Sequence, residues 1–97
     1  MFARLTKAQI PIEKIDRFIK IYEESVVPAA KSQKGYKGIY LLVDRKTGKG
    51  VAIGLWKSEE DAIANEENRY YQEQVAKFQT FYTIPPIREG YEVVVQA

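Results

Sequence analysis

The spacing of apolar positions switches between two residues and three to four, dividing the chain into strand, helix, hairpin, helix and strand. Phe2 to Ala8 alternates and predicts a short strand. Pro11 stands where a first helical turn tolerates a missing N–H. Ile12, Ile15, Phe18, Ile19, Tyr22, Val26 and Ala29 then recur at helical spacing, with Glu13, Lys14, Asp16, Arg17, Lys20 and Glu23 on the other side. Pro28 predicts a kink or break near Val27. Gly35 and Gly38 release the chain into two β-rich runs, Gly38 to Val43 and Gly50 to Trp56, whose polar, glycine-containing loop is a hairpin signal. Ser58 ahead of Glu59, Glu60 and Asp61 offers a capping hydroxyl and carboxylates for the positive end of a helix expected to reach about Lys77. Phe81 to Ile87, with Pro85-Pro86, reads as a loop, and Tyr91 to Gln96 as the last strand.

The order βαββαβ predicts an α+β, ferredoxin-like sandwich with two helices on one face of a four-stranded antiparallel sheet. Of the two alternating sets on the strands, Ala3, Leu5, Ile39, Leu41, Val43, Val51, Ile53, Leu55, Tyr91, Val93 and Val95 form the more apolar and are expected under the helices. The complementary set would face away, yet it includes Phe2, Tyr40, Leu42, Trp56 and Val94 beside Arg4, Thr6, Ala52, Gly54, Glu92 and Gln96. A water-facing sheet surface is mostly polar, and each large apolar side chain left wet forgoes roughly 1.5–3 kcal/mol. The expected cover is a second copy of the same sheet, making a two-fold homodimer. A monomer with an open apolar face is the alternative.

The 97 residues suffice for one domain, 1–97, and leave no room for a separate cofactor domain. Fifteen Lys+Arg against thirteen Asp+Glu leave +2, too little to argue for nucleic acid or an anionic membrane. Cysteine and histidine are both absent, which excludes thiolate nucleophiles, Ser-His-Asp triads and Cys- or His-ligated metal and haem centres from this chain alone. No cofactor and no metal are therefore expected. No stretch approaches the roughly 20 apolar residues of a membrane helix, and a cytoplasmic location is the default expectation. Gly48-x-Gly50-x-x-x-Gly54 lacks the dinucleotide spacing and feeds a strand. Lys34-Gly35-Tyr36 begins like an RNA-binding motif, which Lys37 and Gly38 break.

Candidate chemistry gathers on the second helix. Its apolar stripe through Ala62/Ile63, Tyr70/Tyr71 and Val75 is interrupted by Glu66 and Glu67, flanked by Asn65 and Asn68. A carboxylate among aromatic walls has its pKa raised by desolvation and can serve as a base toward an acidic phenol or enol. The opposing reading leaves both glutamates solvated. Trp56, Tyr22, Tyr70 and Tyr71 are candidate pocket walls, with Glu66, Glu67 or Asn65 as the polar contact. Arg4 is expected on the dimer face, paired with Glu92 or reaching an anion.

Gly35-Tyr36-Lys37-Gly38-Ile39-Tyr40-Leu41-Leu42, followed by Gly50-Val51-Ala52-Ile53-Gly54-Leu55-Trp56-Lys57-Ser58-Glu59-Glu60-Asp61-Ala62, resembles the central stretch of antibiotic-biosynthesis-monooxygenase-type domains. Pro28 and the Pro85-Pro86…Tyr91-Glu92-Val93-Val94 ending are similar as well. The resemblance implies a dimeric α/β barrel, an architecture that hosts several chemistries. Haem-degrading members use a His on the second helix, where an ungapped match reaches Val75, an Asn where Ala3 stands and a Trp where Asn65 stands, so haem degradation is not implied. Cofactor-free members oxidise electron-rich polycyclic phenols with Asn, Trp and Tyr residues; Trp56, Asn65 and the tyrosines are of those types, without a position-by-position match. The implied activity is a cofactor-independent monooxygenase or related enzyme acting on an aromatic or enolisable substrate. A non-catalytic dimer binding a hydrophobic metabolite or a protein is the alternative.

Overall fold

Four strands, β1 (Phe2–Gln9), β2 (Tyr36–Val43), β3 (Lys49–Trp56) and β4 (Ile87–Glu92), build one antiparallel sheet in the computed structural model, which describes residues 1–97. Their spatial order is β2-β3-β1-β4, as the ferredoxin-like topology requires. The sheet is open: β2 and β4 are its two edges and do not meet. Helices α1 (Ile15–Ile21), α2 (Val27–Lys31), α3 (Glu59–Glu67) and α4 (Arg69–Val75) supply the second layer. None is long and apolar enough to cross a membrane.

The first helical segment does not break at Pro28. A π-type turn over Tyr22–Val26 joins α1 to α2, with the Val27 N–H reaching back to the Tyr22 carbonyl. Pro28 falls in the first turn of α2, where its missing N–H costs little. Its buried face carries Ile15, Phe18, Tyr22 and Val26 into one core cluster with Ile10, Phe78 and Phe81. Phe18 and Phe78 lie 4.6 Å apart between ring centroids.

The second helical segment, expected to be continuous, breaks at Asn68, which adopts an extended ψ of 123°. The Ser58 hydroxyl caps α3, accepting from the Asp61 N–H at 3.2 Å as its sequence position foretold. Asn68 ends that helix and caps the next, its Oδ1 accepting from the Tyr71 N–H at 3.0 Å. Asparagine competes for backbone hydrogen bonds inside a helix but satisfies them at a cap. Replacing Asn68 with alanine is expected to cost about 1 kcal/mol, or roughly 4–8 °C in Tm. A thermal melt unchanged by Asn68→Ala would show that the cap carries no stability.

Two corrections concern the strands. The last one runs from Ile87 to Glu92, not Tyr91 to Gln96. It ends where its partner does, because Glu92 already faces Phe2 at the start of β1. The Val93 N–H makes one more bond, to the Met1 carbonyl at 2.9 Å, and Val94 and Val95 lie beyond, exposed.

The second correction is the larger. β2 presents Ile39, Leu41 and Val43 to the helices as expected, but they align with the other set of β3: Ile39 faces Gly54 and Leu41 faces Ala52. Arg4, Thr6, Ala52, Gly54 and Trp56 therefore lie under the helices, and Phe2 packs beside Trp56. Leu5, Val51, Ile53, Leu55 and Tyr91 share the open face with Tyr40 and Leu42. The open face is thus greasier than expected. Its rows read Tyr40–Ile53–Leu5–Glu89 and Leu42–Val51–Lys7–Ile87, with one ion pair, Lys7 to Glu89 at 2.9 Å.

Candidate active site

Small side chains under the helices leave space. A cavity of about 380 Å³ lies between the layers, floored by Thr6 and Ala8 of β1 and Gly50, Ala52 and Gly54 of β3. The helices supply its bulk: Phe18 and Tyr22 on one side, Tyr71 and Val75 on the other, with Tyr82 from the loop before β4. Trp56 closes one end, 3% exposed, against the edge of Tyr36 at 6.1 Å between ring centroids. Gly54 makes that position possible, since a Cβ there would stand 2.9 Å from the indole Nε1.

Polar groups enter from two layers. Ala62, Asn65 and Glu66 line the cavity from one face of α3, as their i, i+3, i+4 spacing dictates. Arg4 on β1 meets Glu66 across the cavity. Its Nε pairs with Oε1 and its Nη2 donates to Oε2 at 3.3 Å. Gly90 leaves room for that guanidinium, because a Cβ there would come within 3.0 Å of Arg4 Nη1. Arg4 was expected on the open face; the corrected strand phase turns it inward, and Glu66, not Glu92, is its partner. Asn65 is 3% exposed, and its Oδ1 is buried without a hydrogen-bond partner.

Of the residues expected at a site, the structure brings Asn65, Glu66, Tyr22, Trp56 and Tyr71 to this one cavity. Glu67 and Tyr70 do not line it and are exposed. Glu67 lies one position past the inward face of α3, and the break at Asn68 resets the phase so that Tyr71, not Tyr70, turns in. Arg88 and Tyr82 were missed. The register that sets Arg88 beside Thr6 on the inward face would have found the arginine, had β4 been started at Ile87.

The tyrosines are hydrogen-bonding groups here, not bases. Burial pushes the Tyr22 phenol well above the usual tyrosine range. Burial also raises Tyr71, against the Asn65 amide and the Arg88 guanidinium, which favour its phenolate. Tyr82 is raised by burial too, with Arg88 opposing. All three remain O–H groups at neutral pH. Nowhere in the chain do three His, Cys, Asp or Glu side chains converge as a metal would need.

No family model matches the sequence. The uncharacterised Mycobacterium tuberculosis proteins MT2634 and Rv2557 are each 36% identical over 67 residues, 69% of this chain. The match spans only 30% of those relatives' own length. Solved structures align over almost the whole chain. A candidate antibiotic biosynthesis monooxygenase from Nitrosomonas europaea superposes with a TM-score of 0.82 at 16% identity, covering 98% of this chain and 100% of that one. Another antibiotic biosynthesis monooxygenase gives 0.80 at 19% identity, over 98% and 100%. SnoaB, a cofactor-independent oxygenase from Streptomyces nogalater, gives 0.81 at 11% identity, over 98% and 94%. With the sheet order and the helix layer in place, the chain has the fold of the antibiotic biosynthesis monooxygenases.

Proposed function

We propose that the cavity binds a small aromatic or enolisable molecule and catalyses its oxidation by dioxygen without a cofactor. The observation that carries this reading is a cavity of about 380 Å³ between sheet and helices, walled by Tyr22, Trp56 and Tyr71 and reached by the Glu66 carboxylate. Concave, mostly apolar sites with a few convergent polar groups are what small-molecule binding requires. Likeness in fold to a cofactor-independent oxygenase supports the reaction class.

Glu66 is the carboxylate placed to take a proton, oriented by Arg4; Asn65 is the polar neighbour beside it in the cavity lining, and Trp56 and Tyr71 hold the ring plane. For an anthrone-type substrate, proton loss gives an electron-rich anion that transfers electrons to dioxygen. One oxygen atom becomes the new ring carbonyl and the other leaves as water, so a CH₂ and O₂ are exchanged for C=O and H₂O. The protein's part is to deprotonate, orient and exclude bulk water.

Oxygen uptake with anthrone or a naphthol is the direct test. Glu66→Gln is expected to lower turnover by roughly 10²–10⁴-fold, while Glu67→Gln, outside the cavity, stays near wild type. Equal activity of the Glu66→Gln variant would remove the base. Binding without oxygen uptake would make the chain a non-catalytic carrier. The same proposal takes a homodimer, paired through the open sheet face, as the working unit.

A further inference from the structure

Resting on the reading of the open sheet face as a homodimer seam, we infer that Lys7 and Glu89 select a second copy of this chain as the partner and set its register, Lys7 of one chain meeting Glu89 of the partner subunit. Three full rows of side chains cross that face, ending on β4 at Tyr91, Glu89 and Ile87. Lys7 and Glu89 are the only charged side chains in those rows. They lie diagonally across β1 and β4, since Leu5 faces Glu89 and Lys7 faces Ile87, and their charged atoms are 2.9 Å apart. Leu5, Ile87 and Tyr91 are the pair's neighbours on the same face, so the ion pair stands in an apolar setting.

One contact does not exhaust either group. An ammonium carries three donors and a carboxylate about four acceptor sites. Water serves the rest while the face is open, with the two side chains 51% and 31% exposed. A purely apolar cover would strip that water, and a buried ion pair recovers the loss only through further hydrogen bonds. A second copy supplies them by symmetry. In a two-fold interface, where residue i meets j, j also meets i. Lys7 over the partner's Glu89 therefore brings Glu89 over the partner's Lys7. Four charges of alternating sign close on one another, and the two-fold axis runs beside β1. Sliding one sheet so that Lys7 meets the partner's Lys7 sets like charges together, which suppresses that arrangement. The apolar rows supply the attraction, and the ion pair decides which partner and which register receive it.

The test exchanges the two charges within one chain. Lys7→Glu combined with Glu89→Lys keeps an ion pair inside each sheet, so folding by circular dichroism and self-association by sedimentation are expected to match wild type. Wild-type and doubly exchanged chains, one of them tagged, are then co-expressed and their dimers counted by native mass spectrometry. Random pairing would make about half of the dimers mixed; the expected share is below about one tenth, because every mixed pair sets lysine on lysine and glutamate on glutamate. Lys7→Glu alone and Glu89→Lys alone should each run as one chain at tens of micromolar and should pair with each other when mixed. Arg45→Glu and Asp16→Lys change the net charge equally at an exposed pair and should stay homodimeric. Mixed dimers at the random share, single variants that associate like wild type, or single variants that fail to pair with each other overturn the inference and leave the dimer standing. A wild-type protein that runs as one chain removes the dimer reading and the inference with it.

Discussion

Ala52→Phe is expected to abolish ligand binding and turnover together while the sheet stays folded. Ala52 lies at the centre of the cavity floor, between Thr6 on β1 and Leu41 on β2. Its methyl faces open volume, so a benzyl group would extend into the space a substrate ring would use. Packing extra atoms into a filled core costs about 1–3 kcal/mol; here the new ring enters space left empty, and the cost falls at or below that range. Affinity should drop at least ~100-fold, because a ligand would have to displace a covalently held ring and forfeit most of its own burial. Calorimetry alongside circular dichroism checks both halves of the expectation. Undiminished binding in a folded Ala52→Phe variant would place the ligand elsewhere.

The second large effect belongs to the other side of the same strand. Ile53→Asp is expected to convert the protein from a two-chain to a one-chain species in light scattering at tens of micromolar. Ile53 stands on the open face between Leu5 and Tyr40, with Val51 and Leu55 along the strand. In a two-fold interface one substitution appears in both copies, so two unpaired carboxylates would be buried at the seam, each at a cost of several kcal/mol. Lys46→Asp at the exposed hairpin tip is the control and should leave the mass unchanged. A wild-type protein that scatters as a single 11.2 kDa chain would end the dimer proposal.

These two predictions depend on a distinction that periodicity alone does not make. Alternation sorted the residues of β1 and β3 into two sets and matched those sets to each other properly, since Ala3 does face Leu55 and Arg4 does face Gly54. What alternation left open was which set the helices cover. The premise that helices bury the most apolar surface gives them the greasier set. The hairpin contradicts that premise. Val43 pairs with Gly50, so odd positions on β2 share a face with even positions on β3. Ile39 and Leu41 carry the inward face on β2, while glycine and alanine carry it on β3. Poor patterning there is the mark of a cavity, and the apolar outer face is what the proposed dimer would cover.

The site was legible in part for a related reason. Asn65 and Glu66 stood out because polar residues interrupted a helical stripe, and both do face the cavity. Glu67 and Tyr70 followed from extending that stripe through Asn68 as if the helix were unbroken. The side chain of Asn68 closes the first turn of α4 instead, a tertiary choice that propensity permits but does not compel. Arg88 was hidden by starting the last strand four residues late, inside a region rich in proline and glycine.

Trp56 is the chain's sole indole, and it forms one end of the cavity. Its fluorescence therefore reports on a single place. Emission should start blue-shifted, as for an indole out of bulk water, and should be quenched when an occupant arrives at the adjoining wall. The protein thus carries a built-in optical gauge of occupancy, readable without label or substitution.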